Sequence, residues 1–242
     1  MNGHGLGTMN REMQGAAGYY DWLARTLRPL AGSRILEVGP GFGDMAERLG
    51  REAESYVGLD NSEEVVAHLA ARFRGAAQFE FLLDQGLGAG SKAALKERRL
   101  DTVVALNLLE HLPDEKPALE IWSEVCPGGT LLAFAPALPC LFGSLDEGAG
   151  HFRRYTCGSM RRLLEDSGIR VSSVHYFNAV GALGWFVSAC ILRQELGSSG
   201  TAGMVRFYDR VALPLARLSD PLLSRFWGQS VLAVGRFPSK SA

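Results

Sequence analysis

Four short segments carry a carboxylate or an amide just where an apolar run ends. The first is Glu37-Val38-Gly39-Pro40-Gly41-Phe42-Gly43, with three alternating glycines behind an acid. Glycines in a tight turn allow positive φ and let the backbone approach a ligand closely. The spacing is G-x-G-x-G rather than the G-x-G-x-x-G of dinucleotide sites. A carboxylate at Glu37 would repel a pyrophosphate and suits a cationic ligand. The second is Asp60, seventeen residues beyond Gly43, followed by Asn61. It can accept two hydrogen bonds from vicinal ribose hydroxyls or cap the next helix. The third is Asp84-Gln85, where an acid can accept from an exocyclic amine such as that of adenine. The fourth is Asn107-Leu108-Leu109-Glu110-His111. His111, Glu110 and, further on, His151 are candidate proton acceptors, because an imidazole titrates near neutrality.

The elements that must position these residues alternate along the chain. Residues 16–30 read as a helix, 34–38 as a strand and 44–52 as a helix. Strands follow at 55–59, 78–82, 100–106 and 130–134, with helices at 62–73 and 114–125 between them. The continuous apolar core of the fourth strand, Val103 to Leu106, implies burial on both faces. Such strand–helix units make a parallel sheet with right-handed crossovers and helices on both sides. Ligands of these sheets lie beyond the carboxyl ends of the strands, where strand order reverses. After a strand at 171–177 the alternation stops. Helical stretches at 179–196 and 201–218 precede a last strand at 230–234. Residues 179–225 therefore form an insertion placed to cover the site. In the second stretch Val205, Tyr208, Val211, Ala212, Leu215 and Leu218 follow helical spacing, which predicts core packing.

Composition narrows the function classes. The 242 residues are 47% hydrophobic and 21% charged, with a net charge of −1. That excludes wholesale disorder, collagen-like repeats and a polytopic membrane protein. It gives no broad attraction to nucleic acid. The four cysteines, Cys126, Cys140, Cys157 and Cys190, form no C-x-x-C pair and have no histidine at ligand spacing. Reduced thiols in a cytoplasmic protein are the expectation, and no metal. Residues 1–15 lack an apolar signal core and read as a mobile tail on a single domain of residues 1–242. Residues 171–192 contain no charged side chain, but they divide into a strand and a helix too short for a bilayer core of about 30 Å. No integral membrane span is expected.

Residues 35–44, Gly58-Leu59-Asp60, Asp84 and Asn107-Leu108-Leu109-Glu110-His111 together resemble the class I S-adenosylmethionine-dependent methyltransferase family. The resemblance covers residues 16–134, and the last strand more loosely. It implies an α/β fold: a doubly wound, seven-stranded, mostly parallel Rossmann-like sheet with a reversed last strand. It also implies S-adenosylmethionine as methyl donor. By position, Glu37, Gly39 and Gly41 would line its methionine part, in a turn that ends at Gly43, and Asn107 would face the same end. Asp60 would bind the ribose and Asn61 would lie beside the adenine. Asp84 would meet the adenine amine, with Gln85 adjacent. Pro40 and Phe42 stand at variable positions of the turn.

The second half resembles bacterial methyltransferases with a His-Phe/Tyr-Arg-Arg-Tyr-Thr segment, here His151 to Thr156, followed by Tyr176-Phe177-Asn178 and Gly184-Trp185. Members of that group act on varied small molecules, including envelope and secondary-metabolite precursors. Methyl transfer is an in-line displacement, so the protein must align acceptor, carbon and sulfur. His151 is the first candidate base, then His111 and Glu110. Arg153 and Arg154 are candidates for an acceptor carboxylate or phosphate, or for surface pairing with Asp146 or Glu147. Tyr19, Tyr20, Phe152, Tyr155 and Trp185 are candidates for an apolar acceptor pocket. Oxygen or nitrogen is the favoured acceptor atom, with carbon left open, as is a homodimer contact through the apolar helices. Two other readings carry less support: an NAD(P)-dependent oxidoreductase, which lacks its glycine spacing and a Tyr-x-x-x-Lys pair, and a non-catalytic binding protein that kept the cofactor fold.

Overall fold

The computed structural model describes residues 16–193 and 208–239. The tail at 1–15, and Val205 of the second helical stretch, lie outside the described residues. Seven strands form one sheet: β1 (Arg34–Val38), β2 (Ser55–Asp60), β3 (Phe79–Leu83), β4 (Thr102–Leu106), β5 (Thr130–Pro136), β6 (Arg170–Phe177) and β7 (Ser230–Arg236). Their order is β3-β2-β1-β4-β5-β7-β6. Strands β1 to β5 are parallel, and β7 runs antiparallel to both β5 and β6. The mostly parallel sheet with a reversed last strand is therefore present.

Successive side chains on the central strands point to opposite faces. Leu36, Val103, Leu131 and Ala133 enter one core, with Trp122 and Leu119 of helix α5 (Lys116–Val125). Ile35, Val104, Leu132 and Phe134 enter the other, with Leu23 and Leu27 of α1 (Ala17–Leu27) and Met45 and Leu49 of α2 (Asp44–Leu49). Strands covered on both sides read as continuous apolar runs, which is why β4 and β5 are buried along almost their whole length. Helix α3 (Glu63–Arg72) is capped by Ser62, whose Oγ accepts from the Val65 amide at 3.4 Å. Three further helices are α4 (Lys92–Glu97), α6 (Ser144–Ala149) and α7 (Cys157–Asp166).

Between β6 and β7 the chain forms α8 (Ala179–Trp185) and α9 (Leu213–Leu223), flanked by π-helical segments at Phe186–Ile191 and Tyr208–Ala212. The face that α9 buries is not the one its spacing predicts. Leu215 and Leu218 are 65% and 83% exposed, and Val211 is exposed too. Leu213, Ala216 and Asp220 point inward instead. The cause is polar: the Asp220 carboxylate accepts from the amides of Asn178 (3.2 Å) and Ala179 (2.8 Å), and so turns its face of α9 toward the start of α8. No helix among the described residues is long and apolar enough to cross a membrane.

Candidate active site at the strand tips

Register brings the predicted tips together. Val38 pairs with Leu59 of β2 and with Ala105 of β4, while Asp60 pairs with Leu83 of β3. Gly39, Asp60, Asp84 and Asn107 therefore leave the sheet within one or two residues of a common line. At about 4.8 Å per strand that line is roughly 14 Å long. Strand order reverses between β1 and β4, the place where such sheets open a crevice.

A cavity of about 260 Å³ opens there. Glu37, Gly39, Gly41 and Asn107 line it from the tips, and Tyr19 and Tyr20 from α1. Gly39 and Gly41 hold φ of 74° and 54°, which puts the turn in the left-handed region that favours glycine. Gly43, at φ 85°, has a different task from the expected one. It caps α2 and does not line the cavity, and a Cβ there would lie 2.6 Å from the Leu69 side chain. Its missing side chain lets the turn pack on α3.

Glu37 is buried and accepts a hydrogen bond from the Tyr56 hydroxyl. Burial pushes its carboxyl up to about 7, against the lowering effect of that hydroxyl. A carboxylate desolvated beside a cavity, with no cation bonded to it among the described residues, matches a positively charged ligand. Asp60 is half-buried, and its Oδ1 accepts from the Ser62 amide at 2.9 Å. Asp84 is turned inward on its own loop. It accepts from the amides of Gly86 (2.7 Å), Gly88 (3.1 Å) and Ser91 (2.7 Å), and these bonds outweigh burial to hold its carboxyl below the usual range. Asn61 and Gln85 are exposed beside these two acids.

A family model for the methyltransferase domain matches residues 36–131, from β1 into β5. That stretch, with its glycine turn and strand-end acids, is similar to the class I S-adenosylmethionine-dependent methyltransferases. A ubiquinone biosynthesis O-methyltransferase of Leptothrix cholodnii is 30% identical over 112 residues, 45% of this chain and 46% of that protein. A probable S-adenosylmethionine-dependent methyltransferase of Mycolicibacterium smegmatis is 29% identical over 58% of this chain and 53% of its own length. The chain thus spans about half the length of the curated relatives it matches. A putative methyltransferase of Bacillus halodurans shares the fold, with a TM-score of 0.57 over 90% of this chain and 99% of its own at 14% identity.

The turn after β4, inside the matched stretch, and residues beyond that stretch supply the other wall of the cavity. Glu110, His111, His151 and Arg154 line it, with Trp185, Ser188 and Tyr208 from the insertion. Glu110 and His111 sit in a 3₁₀ turn after β4, and both are buried. His151 follows α6. Its Nδ1 lies 2.8 Å from Asp146 Oδ1, and Arg154 Nε donates to the same oxygen at 2.8 Å. Burial acts to raise the Asp146 carboxyl, but bonds from His151 and Arg154 outweigh it and hold it low. The bond to Asp146 fixes the imidazole ring by Nδ1 and turns Nε2 toward Glu110, 4.0 Å from its Oε1. Arg154 also donates to the Ala137 carbonyl at 2.8 Å and stacks on the Trp185 ring, 4.7 Å from its centroid.

Three expected acceptor residues are absent from the cavity wall. Phe152 is 54% exposed. Arg153 forms a pair of bonds to Glu115, at 2.9 and 2.8 Å, and Tyr155 donates to Glu115 at 2.7 Å. The buried Glu115 carboxylate captures both, because a buried charge must be paired. Of the two arginines only Arg154 reaches the cavity. Asp146 was expected only as a surface partner, yet it is fully buried and orients His151. Asn178 was not expected at the cavity either. It sits at φ 63° and caps α8, and its Oδ1 accepts from the Gly181 amide (2.9 Å) and the Tyr208 hydroxyl. The sequence signal for Asp146 was its place five residues before His151; that for Asn178 was its place in the Tyr176-Phe177-Asn178 segment of the resemblance.

Proposed function

We propose that this chain moves the methyl group of S-adenosylmethionine to an oxygen or nitrogen atom of a small, ring-bearing molecule. One observation carries the reading: the buried, cation-seeking carboxylate of Glu37 and the proton-handling group Glu110–His111–His151 face one cavity. When bound, S-adenosylmethionine supplies a methyl carbon on a sulfonium, whose thioether leaving group needs no acid. Glu37 and the turn at Gly39 and Gly41 would hold the methionine end, Asp60 the ribose, and the loop of Asp84 the adenine end. Tyr19, Tyr20, Trp185 and Tyr208 offer aromatic surface to the acceptor. Similarity to the Leptothrix O-methyltransferase supports oxygen as the acceptor atom.

His151, oriented by Asp146, would take the acceptor's proton where its Nε2 carries no other ligand. The insertion between β6 and β7 acts as a cap over the acceptor. Cytoplasmic residence and the absence of a nucleic-acid partner belong to the same proposal, supported by the near-neutral charge and four free cysteines. The test is calorimetric titration with S-adenosylmethionine, then a screen of phenolic and amine acceptors with an isotopically labelled methyl donor, read by mass. Products one labelled methyl heavier, with S-adenosylhomocysteine released, are expected. No cofactor binding at millimolar concentration overturns the reading.

A further inference from the structure

We infer that Glu110, His111 and His151 hold a divalent transition-metal cation at the acceptor end of the cavity. The inference deepens the methyltransferase reading and rests on it for the cation's purpose, though not for its presence. Ligand atoms of these three side chains lie within 4.8 Å of one another, and all three residues are buried. At metal–ligand distances of about 2.1 Å, closing on a cation takes roughly an ångström of side-chain movement.

The cluster is under-bonded without one. Both Glu110 oxygens and His151 Nε2 are buried with no hydrogen-bond partner. Glu110 is wholly inaccessible, and His151 Nε2 stands 4.0 Å from its Oε1. Native proteins rarely leave two carboxylate oxygens and an imidazole nitrogen unpaired together. The surroundings fit the same purpose. Asp146 holds His151 by Nδ1 and so aims Nε2 at Glu110, the carboxylate–histidine–metal arrangement that fixes a ligand's tautomer. Asp146 is itself held by Arg154 and by the Gly143 amide at 3.1 Å. The Gly150 backbone holds the His111 ring in the same way.

One carboxylate and two imidazoles suit Zn²⁺, Fe²⁺ or Mn²⁺, with coordination positions left open toward the cavity. A cation there lowers the pKa of an acceptor hydroxyl beside it. The hydroxyl proton then leaves to solvent rather than to His151. The O–C bond forms as the C–S bond breaks, and that electron pair goes to sulfur. Hydroxyl and sulfonium thus yield ether, neutral thioether and one proton.

The test uses tag-free protein stripped with chelator, titrated with Mn²⁺ by calorimetry and electron paramagnetic resonance. Mn²⁺ is chosen because exposed Cys140 would take up softer ions. One Mn²⁺ per chain and a raised Tm are expected. Glu110→Gln and His111→Ala should each weaken binding at least tenfold. Co²⁺ on the wild type supplies a second readout that needs no variant: visible d–d bands of an imidazole-ligated ion are expected. Absence of stoichiometric Mn²⁺ uptake and of those bands, or undiminished uptake by both variants, overturns the site. S-adenosylmethionine binding is measured on the same samples. Cofactor binding without cation uptake removes the cation alone, and cation uptake without cofactor binding removes the methyltransferase reading alone.

Discussion

The two walls of the cavity are built by different rules. On the side of β1 to β4, each polar residue stands at a strand end, and its position follows from backbone register. On the side beyond β5, the polar residues are set by side-chain pairs. Asp146 holds His151 and Arg154, Arg154 also reaches Ala137, and Asn178 reaches Gln229. A wall set by register keeps its ligand while its loops vary. A wall set by side-chain pairs is re-aimed by changing one pair. That division suits a shared methyl donor and a varied acceptor.

The comparison breaks most visibly at Asp146. Asp146→Ala leaves Arg154 buried without its carboxylate and frees His151. A loss of about 3–5 kcal/mol in stability is expected, read by urea unfolding. Cofactor affinity in the fraction that stays folded should change little, because the register-built wall does not use Asp146. Equal loss of cofactor binding would show that the walls are one unit. His151→Ala comes next. Transfer should slow about 10²-fold or more, with the Kd for S-adenosylmethionine nearly unchanged. Transfer at the wild-type rate would remove His151 from the reaction.

The same contrast explains what was legible in the sequence. Strand ends, the glycine turn and the acids behind them are local signals, so Glu37, Gly39, Gly41 and Asn107 were found and do line the cavity. Gly43 was found for the wrong reason, since its packing against Leu69 is a contact with another helix. The segment His151 to Tyr155 shows the limit more sharply. Its residues look alike as site candidates, but Glu115 claims Arg153 and Tyr155 while Asp146 claims His151 and Arg154. Neither choice is written within the segment. The exposed face of α9 has the same cause, because Asp220 seeks the amides of Asn178 and Ala179 and overrides the apolar stripe.

Asp60→Ala tests the register-built wall directly. Losing a charged hydrogen bond should weaken cofactor binding by about 1–3 kcal/mol, measured by calorimetry, with little change in Tm. The pH dependence of the same binding sharpens the test. Glu37 is raised from the usual carboxylate range to about 7 by burial. A cationic ligand favours the ionised form, so binding should be full above pH 7. It should weaken by up to about tenfold per unit as pH falls below that value. Glu37→Gln should bind more weakly and flatten the profile. Folding has the opposite sign: the raised carboxyl favours the folded protein below the unfolded pKa and loses that contribution as pH rises through 7.

The smallest expected effect lies on the other wall. Phe152 neighbours His151 in sequence and belongs to the segment that resembles an acceptor site, yet its ring is exposed and outside the cavity lining. Its amide is fixed by the Glu110 carbonyl at 2.8 Å, a bond that any non-proline residue makes. Phe152→Ala should therefore change stability by less than about 0.5 kcal/mol and leave the acceptor KM unaltered. A raised KM with unchanged kcat would instead put Phe152 against the acceptor. The side-chain pairs of this wall would then rearrange when acceptor binds, and the division between a fixed donor wall and an adjustable acceptor wall would become a property of the working protein, visible first at the residue that the free form leaves in solvent.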